Sequence, residues 1–231
     1  MPGTITHLLI AKRIIETLPE GTISNKALFY AGSIAPDAVH AKENYSRADK
    51  KKSHLSTGIH DNDMLNDQSY VDKVYERIKI FIDDYVNFDD EQLDLYIAYL
   101  IHLLTDISYI LTVKRAYILL KSKDDNKDDF YKDMIDDGRL NDLKLLHKNP
   151  ELLDLKEVLN DLESYSIKNI ISKEEAKISL NWVVHQKLIL KENIENPTYI
   201  SLEMTEKFIE DTFVLIINKL SEGIEFPILF K

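Results

Sequence analysis

Near the middle of the chain stands Tyr99-Leu100-Ile101-His102-Leu103-Leu104-Thr105-Asp106, within the most apolar part of the sequence, residues 93–120. The length and apolar content of this part predict one long central helix over about residues 89–121. His102 and Asp106 are four residues apart, so they lie on one helix face, a turn apart. Burying an imidazole and a carboxylate among Ile and Leu side chains is costly unless each is paired. A hydrogen bond between the two would pair them, and so would a metal ion.

The composition favours helices throughout. Of the 231 residues 44% are apolar, whereas glycine and proline number only 6 each. So few turn-forming residues argue for long helices rather than for many short strands. We therefore predict an all-α fold, a single globular multi-helix domain over residues 1–231 around the central helix, with residues 122–150 as the candidate internal seam.

Charge and residue content exclude several classes of protein. The chain contains no cysteine, so any metal must be held by His, Asp, Glu or backbone oxygen. A net charge of −11 disfavours binding to nucleic acid or to anionic membranes, and no nucleic-acid partner is expected. No apolar run approaches the ~20 residues that span a bilayer, and the first apolar residues are followed at once by Lys12-Arg13, unlike a secretory signal. We expect a cytoplasmic protein without a transmembrane segment.

Three further candidates for a polar site precede the central helix. His7 falls in the first turn of a helix that Thr4 or Thr6 could cap. Asp37 begins a loop directly after a helix that Pro36 ends. His54 lies in a polar stretch, residues 38–66, predicted to be a long loop. With His102 and Asp106 these side chains could surround a dication such as zinc, although spacing alone does not show that they converge.

Four segments in this order resemble the zinc-dependent phospholipase C family of bacteria: Thr6-His7, Gly32-Ser33-Ile34-Ala35-Pro36-Asp37, Ser53-His54 and His102-Leu103-Leu104-Thr105-Asp106. The resemblance covers roughly the first half of the chain. It implies an all-helical fold with metals at the base of a cleft and hydrolysis of phosphodiesters. Carried over by position, the ligands of a first zinc would be Asp37, His54, His102 and Asp106. Asp106 would also bridge to another zinc held by His7.

Two departures from the family pattern limit the number of ions. Thr112 stands where secreted members have a further histidine ligand, and residues 107–121 contain no histidine. Secreted members also use a mature N-terminal amino group, whereas this sequence starts at Met1. We therefore predict one or two Zn²⁺ ions rather than three, unless His147 or His185 contributes.

The function predicted from these features is hydrolysis of phosphoesters by a metal-activated water, with Asp37 as the candidate catalytic residue that aligns or deprotonates the water. The substrate would be a small phosphoester or a phospholipid-derived compound. Lys50, Lys51 and Lys52 are expected to be solvated, the alternative being that they steer an anionic head group. Two other functions stay open: a non-catalytic binding protein that retains one structural metal, and an HD-type phosphohydrolase using His60 and Asp61. The sequence does not indicate an oligomeric state.

Overall fold

The computed structural model describes residues 2–85, 91–123 and 130–221, and within them all regular structure is helical apart from one isolated bridge between Ile167 and Ile171. The all-α prediction is therefore confirmed. The α-helices are α1 (Thr4–Thr17), α2 (Lys26–Ile34), α3 (Arg47–Ser53), α4 (Asp61–Asn66), α5 (Gln68–Tyr85), α6 (Leu93–Tyr109), α7 (Arg115–Lys121), α8 (Phe130–Lys148), α9 (Leu155–Asn160), α10 (Lys173–Trp182) and α11 (Leu202–Ser221). Two 3₁₀ helices, Ala35–Ala41 and Pro150–Asp154, and two π-helical turns, Ile110–Lys114 and Val183–Lys187, connect some of them.

The predicted central helix is present. Helix α6, the π-helical turn and α7 run continuously over Leu93–Lys121, and residue 89, where the helix was predicted to begin, lies outside the described residues. This 29-residue stretch is long and apolar enough to span a bilayer, contrary to our expectation, but 72% of its most apolar window is buried inside the fold. A helix that packs mostly inside the fold can pass the same test of length and apolarity.

Helix α2 packs directly against the central helix at Gly32. A β-carbon at this position would collide with the carbonyl oxygen of Leu95 and with Ala98, so only glycine permits the approach. The contact brings the backbone of Ser33 against His102, whose Nδ1 lies 2.8 Å from the Ser33 carbonyl oxygen. The close packing of α2 against the central helix thus holds the His102 ring beside the Ser33 carbonyl.

The prediction of a long loop over residues 38–66 is wrong. The chain instead forms a 3₁₀ helix, Ala35–Ala41, and the short helices α3 and α4. Helix α3 begins after Ser46, whose backbone N–H and hydroxyl both donate to Asp49. These short helices are too polar to show an apolar stripe, so hydrophobic periodicity could not reveal them. Asp37 accordingly lies within a 3₁₀ helix and not at the start of a loop.

Helix α1 is capped from another part of the chain. The residue before its first turn is Gly3, and neither Thr4 nor Thr6 serves as the predicted cap. The Asp142 carboxylate of α8 instead accepts hydrogen bonds from the backbone N–H groups of Ile5 (3.2 Å) and Thr6 (3.3 Å). Leu145 and Leu146 of α8 belong to the same hydrophobic core as α1 and α6.

The domain limits and the seam at 122–150 stay predictions, since residues 124–129 are not described.

Candidate metal centre

Five side chains from four elements meet beside the central helix. His7 comes from the first turn of α1, Asp37 from the 3₁₀ helix, His54 from the capping residue directly after α3, and His102 and Asp106 from α6. The three histidines and Asp106 are buried, whereas the Asp37 side chain is 31% exposed. The structure thus brings together all five residues predicted as metal ligands. That they bind a metal, and that Asp37 is catalytic, stay predictions.

Asp106 lies at the centre of the cluster. Its Oδ1 is 3.5 Å from His7 Nε2, while its Oδ2 is 3.2 Å from His54 Nε2 and 3.8 Å from His102 Nε2. The two oxygens of one carboxylate therefore face two different sets of imidazoles. A carboxylate can accept on both oxygens, so both oxygens of Asp106 could serve as ligand atoms for a cation.

His54 and His102 present the same ring nitrogen to one point. Their Nε2 atoms are 3.3 Å apart, and each Nδ1 lies within hydrogen-bond distance of a backbone carbonyl oxygen, Lys50 at 2.9 Å for His54 and Ser33 at 2.8 Å for His102. An Nδ1–H that donates to a carbonyl leaves the Nε2 lone pair free to bind a metal. The backbone thus sets both rings in the tautomer that a metal requires.

The separations of the donor atoms suit a zinc ion. With Zn–N bonds of about 2.0–2.1 Å, two ligands of a tetrahedral ion lie about 3.3–3.4 Å apart. Groups of potential ligand atoms within 4.8 Å of one another are formed by His7, His102 and Asp106, and by Asp37, His54 and His102. Imidazole and carboxylate donors without sulfur are typical of a borderline dication.

Several buried donor atoms have no hydrogen bond. Within the described part of the chain, His7 Nε2 and both carboxylate oxygens of Asp106 are buried without a hydrogen-bond partner. Unsatisfied buried polar atoms are rare in folded proteins because each costs free energy. The residues present therefore fit a bound cation, which would satisfy these atoms together.

The electrostatics keep the ligand atoms in their metal-binding forms. Burial and the neighbouring His7 lower the pKa of His102 from 6.5 to about 3, so the ring is neutral at physiological pH. Burial alone would raise the pKa of Asp106, but the surrounding imidazoles, above all His102, outweigh it and hold that pKa well below its usual value. Burial likewise opposes ionisation of Asp37, yet Lys50 and the nearby histidines keep its pKa well below the usual range.

Lys50 lies at the site through a pairing that the sequence did not predict. Its Nζ lies 3.0 Å from Asp37 Oδ1, so the expectation that Lys50 is a solvated lysine is wrong. His40 Nε2 also approaches Asp37 Oδ1, at 3.6 Å. The signal for Lys50 was its place four residues before His54, one turn away on the same short helix.

A large cavity opens over the cluster. It has a volume of about 980 Å³, near the upper end for ligand sites, and Asp37, His54 and Asp106 form part of its wall. Most of the remaining wall is apolar and includes Leu103, Ile107 and side chains of α8 and α10. The candidate metal centre is therefore accessible to a ligand of substantial size.

The remaining histidines do not join the cluster. His147 is exposed and its Nε2 lies 2.7 Å from the Lys191 carbonyl oxygen, while His185 is exposed on the second π-helical turn. Thr112 is exposed and donates to the backbone of Ser108. Within the described residues, neither His147 nor His185 replaces the ligand missing at Thr112.

Comparison with known proteins agrees with this geometry. The family model described as Zinc dependent phospholipase C matches residues 6–109, a segment that contains all five clustered side chains. Over that segment the match confirms the family resemblance. Neither the curated proteins nor the solved structures gave a match to the chain.

Proposed function

We propose that this protein is a zinc-dependent hydrolase of phosphoesters, similar in chemistry to a phospholipase C. The observation that carries the proposal is the meeting of His54 Nε2, His102 Nε2 and Asp106 Oδ2 within 3.2–3.8 Å at the wall of a large cavity. The family match over residues 6–109 supports the choice of zinc and of a phosphoester substrate.

The residues have separate tasks in this proposal. Zinc, when bound, supplies Lewis acidity that polarises a phosphoryl oxygen and makes a water a better nucleophile near neutral pH. His54, His102 and Asp106 would hold the ion. Asp37, the one partly exposed member, faces the cavity and would orient the water or take up its proton. Lys50 keeps Asp37 ionised and fixed in position.

The first site is more complete than the second. His54, His102 and Asp106 would surround the first position, with Asp37 beside it, and three protein ligands leave the fourth place on a zinc ion for water or substrate. Among the described residues, a second ion would have only His7 and the other carboxylate oxygen of Asp106, Oδ1, as ligands. We expect one tightly bound ion and a second, weaker one.

Two aspartate variants test the assignment. Asp106→Asn should abolish binding of both ions and all hydrolysis of bis(p-nitrophenyl) phosphate and p-nitrophenyl phosphate. Asp37→Asn should retain at least one zinc by elemental analysis, yet lose about 10²–10⁴-fold in kcat if it acts on the water. Asp136→Asn, on the exposed surface of α8, is the matched control and should change neither. Wild-type protein that binds zinc but hydrolyses neither compound would favour the non-catalytic binding protein.

The HD-type alternative has less support. His60 is exposed, and the Asp61 carboxylate is engaged by two lysines, Lys51 at 3.2 Å and Lys114 at 2.8 Å. A carboxylate paired in this way is a poor metal ligand. Loss of zinc in His60→Ala, with Asp106→Asn unaffected, would reverse this preference.

A further inference from the structure

The group formed by Lys51, Asp61 and Lys114 lies in the wall of the same cavity as the metal cluster but has no part in it. The Asp61 carboxylate places one oxygen 3.2 Å from Lys51 Nζ and the other 2.8 Å from Lys114 Nζ. Lys114 is buried, with only 2% of its side chain exposed. Burying a lysine is costly unless its ammonium group has partners, and Asp61 is one such partner.

The helix is distorted where it carries Lys114. In a regular α-helix, a residue eight positions after Asp106 would be rotated by about 80° from it. The π-helical turn Ile110–Lys114 accommodates one extra residue and brings Lys114 back to within about 20° of the face of Asp106. Lys114 therefore faces the cavity about 10–12 Å along the helix axis from the metal cluster.

The charges of this group do not cancel. Burial raises the pKa of Asp61, but Lys114 and Lys51 outweigh it and lower that pKa to about 2, so the carboxylate is ionised. Two ammonium groups then face one carboxylate. Each ammonium has three N–H donors and gives one to Asp61, and within the described residues Lys114 has no other hydrogen-bond acceptor. Donors and one positive charge remain for a ligand.

The surroundings reinforce this charge. Six lysine and arginine side chains line the cavity against four aspartates, although the whole chain carries a net charge of −11. Lys50 is paired with Asp37 at the metal cluster, whereas Lys51 and Lys114 share the single carboxylate of Asp61. A cationic recess with low-dielectric walls concentrates anions.

We propose that Lys51 and Lys114, which share the Asp61 carboxylate, bind a terminal phosphate group of the substrate, separate from the phosphoester at the metal cluster. This proposal rests on the proposed function and specifies its substrate class as a phosphodiester that carries a second phosphate. A phosphate group suits the site because its several oxygens can accept from both ammonium groups at once.

Binding of inorganic phosphate to metal-free protein, measured by calorimetry, tests the site without catalysis. Lys51→Met and Lys114→Met should each weaken binding about tenfold or more, while Lys52→Met, exposed on the same short helix as Lys51, should leave it unchanged. Asp61→Asn should tighten binding, because it removes the competing carboxylate. His102→Ala should bind phosphate like the wild type, which separates this site from the metal cluster.

A purely structural role, in which the ion pair only holds α4 against the central helix, predicts a different result. The variants at Asp61 and Lys114 would then lower the thermal midpoint without changing phosphate affinity, and that outcome would overturn the proposal. If Lys114→Met fails to fold, the other two variants still test the proposal. Lys51→Met must weaken phosphate binding, whereas Asp61→Asn must tighten it.

A kinetic comparison tests the substrate class. Two p-nitrophenyl alkyl phosphodiesters, with and without a terminal phosphate on the alkyl chain, should differ about tenfold in kcat/KM with the wild type. In Lys51→Met the ratio should fall to about one. Equal kcat/KM for both compounds in the wild type refutes the substrate class. Hydrolysis of neither compound, with phosphate binding as expected, refutes the proposed function and leaves the phosphate site standing.

Discussion

His54 and His102 point their Nε2 atoms at each other across 3.3 Å, while the Nδ1 of each meets a backbone carbonyl oxygen. If both Nδ1 atoms carry the proton, the two Nε2 lone pairs oppose one another. A proton or a cation between them relieves this repulsion, and the nearby carboxylate of Asp106 favours a cation. The packing of these two rings therefore favours a bound metal ion in the folded protein.

Zinc should stabilise the wild-type protein. At a free concentration of 100 times Kd, a ligand that binds only the folded state adds about 2.7 kcal/mol, which corresponds to about 5–10 °C in the thermal midpoint for a chain of this size. His102→Ala should abolish the shift measured by calorimetry after chelator treatment. His185→Ala, which removes an exposed histidine far along the chain, should retain it. A full shift in His102→Ala would place the metal elsewhere.

The metal-free protein should lose stability as the pH falls from 7 to 5. The pKa of His102 is about 3 in the fold against 6.5 when exposed, so below pH 6.5 the unfolded chain takes up a proton that the folded chain does not. Unfolding is therefore favoured progressively between pH 6.5 and 3, by about 2 kcal/mol at pH 5. Urea unfolding of His102→Gln should show a smaller decline.

The matched control for this pH effect is His185→Gln. Its side chain is exposed, so it should keep the wild-type dependence of the free energy of unfolding on pH. Equal slopes for wild type and His102→Gln between pH 7 and 5 would contradict the assigned pKa of His102.

Much of the fold and the site could be predicted from the sequence because long apolar helices show in its periodicity. The central helix followed from the apolar content of residues 93–120, and His102 and Asp106 followed from their spacing on it. The meeting of His7, Asp37 and His54 with this pair came from the family resemblance, since the residues between them carry no long-range signal.

The features that the sequence does not reveal depend on tertiary contacts. Asp142 caps a helix more than a hundred residues earlier in the chain, and the pairing of Lys50 with Asp37 required short polar helices in place of a loop. The π-helical turn that redirects Lys114 has no distinctive amino-acid composition by which it could be predicted. Hydrophobic periodicity reports which face is buried but not which polar groups meet there.

Removal of the Asp142 carboxylate should loosen the first turn of α1. Asp142→Ala leaves the N–H groups of Ile5 and Thr6 without their acceptor, which should cost about 1–3 kcal/mol and lower the thermal midpoint by about 2–12 °C. Asp136→Ala, on the same helix with a side chain 47% exposed, should change stability by less than about 0.5 kcal/mol. Similar midpoints for the two variants would show that the α1 cap is dispensable.

Enlargement of Gly32 should damage both the fold and the metal centre. The β-carbon of Gly32→Ala would collide with the Leu95 carbonyl oxygen and force α2 away from the central helix, at a cost of about 1–3 kcal/mol. The same displacement moves the Ser33 carbonyl away from His102 Nδ1, and loss of such an orienting partner weakens metal binding about 10–100-fold. Lys26→Ala, at the exposed start of α2, should leave the thermal midpoint and the zinc affinity unchanged. If Gly32→Ala lowers the midpoint but binds zinc as tightly as the wild type, then the Ser33 carbonyl does not orient His102 for the metal.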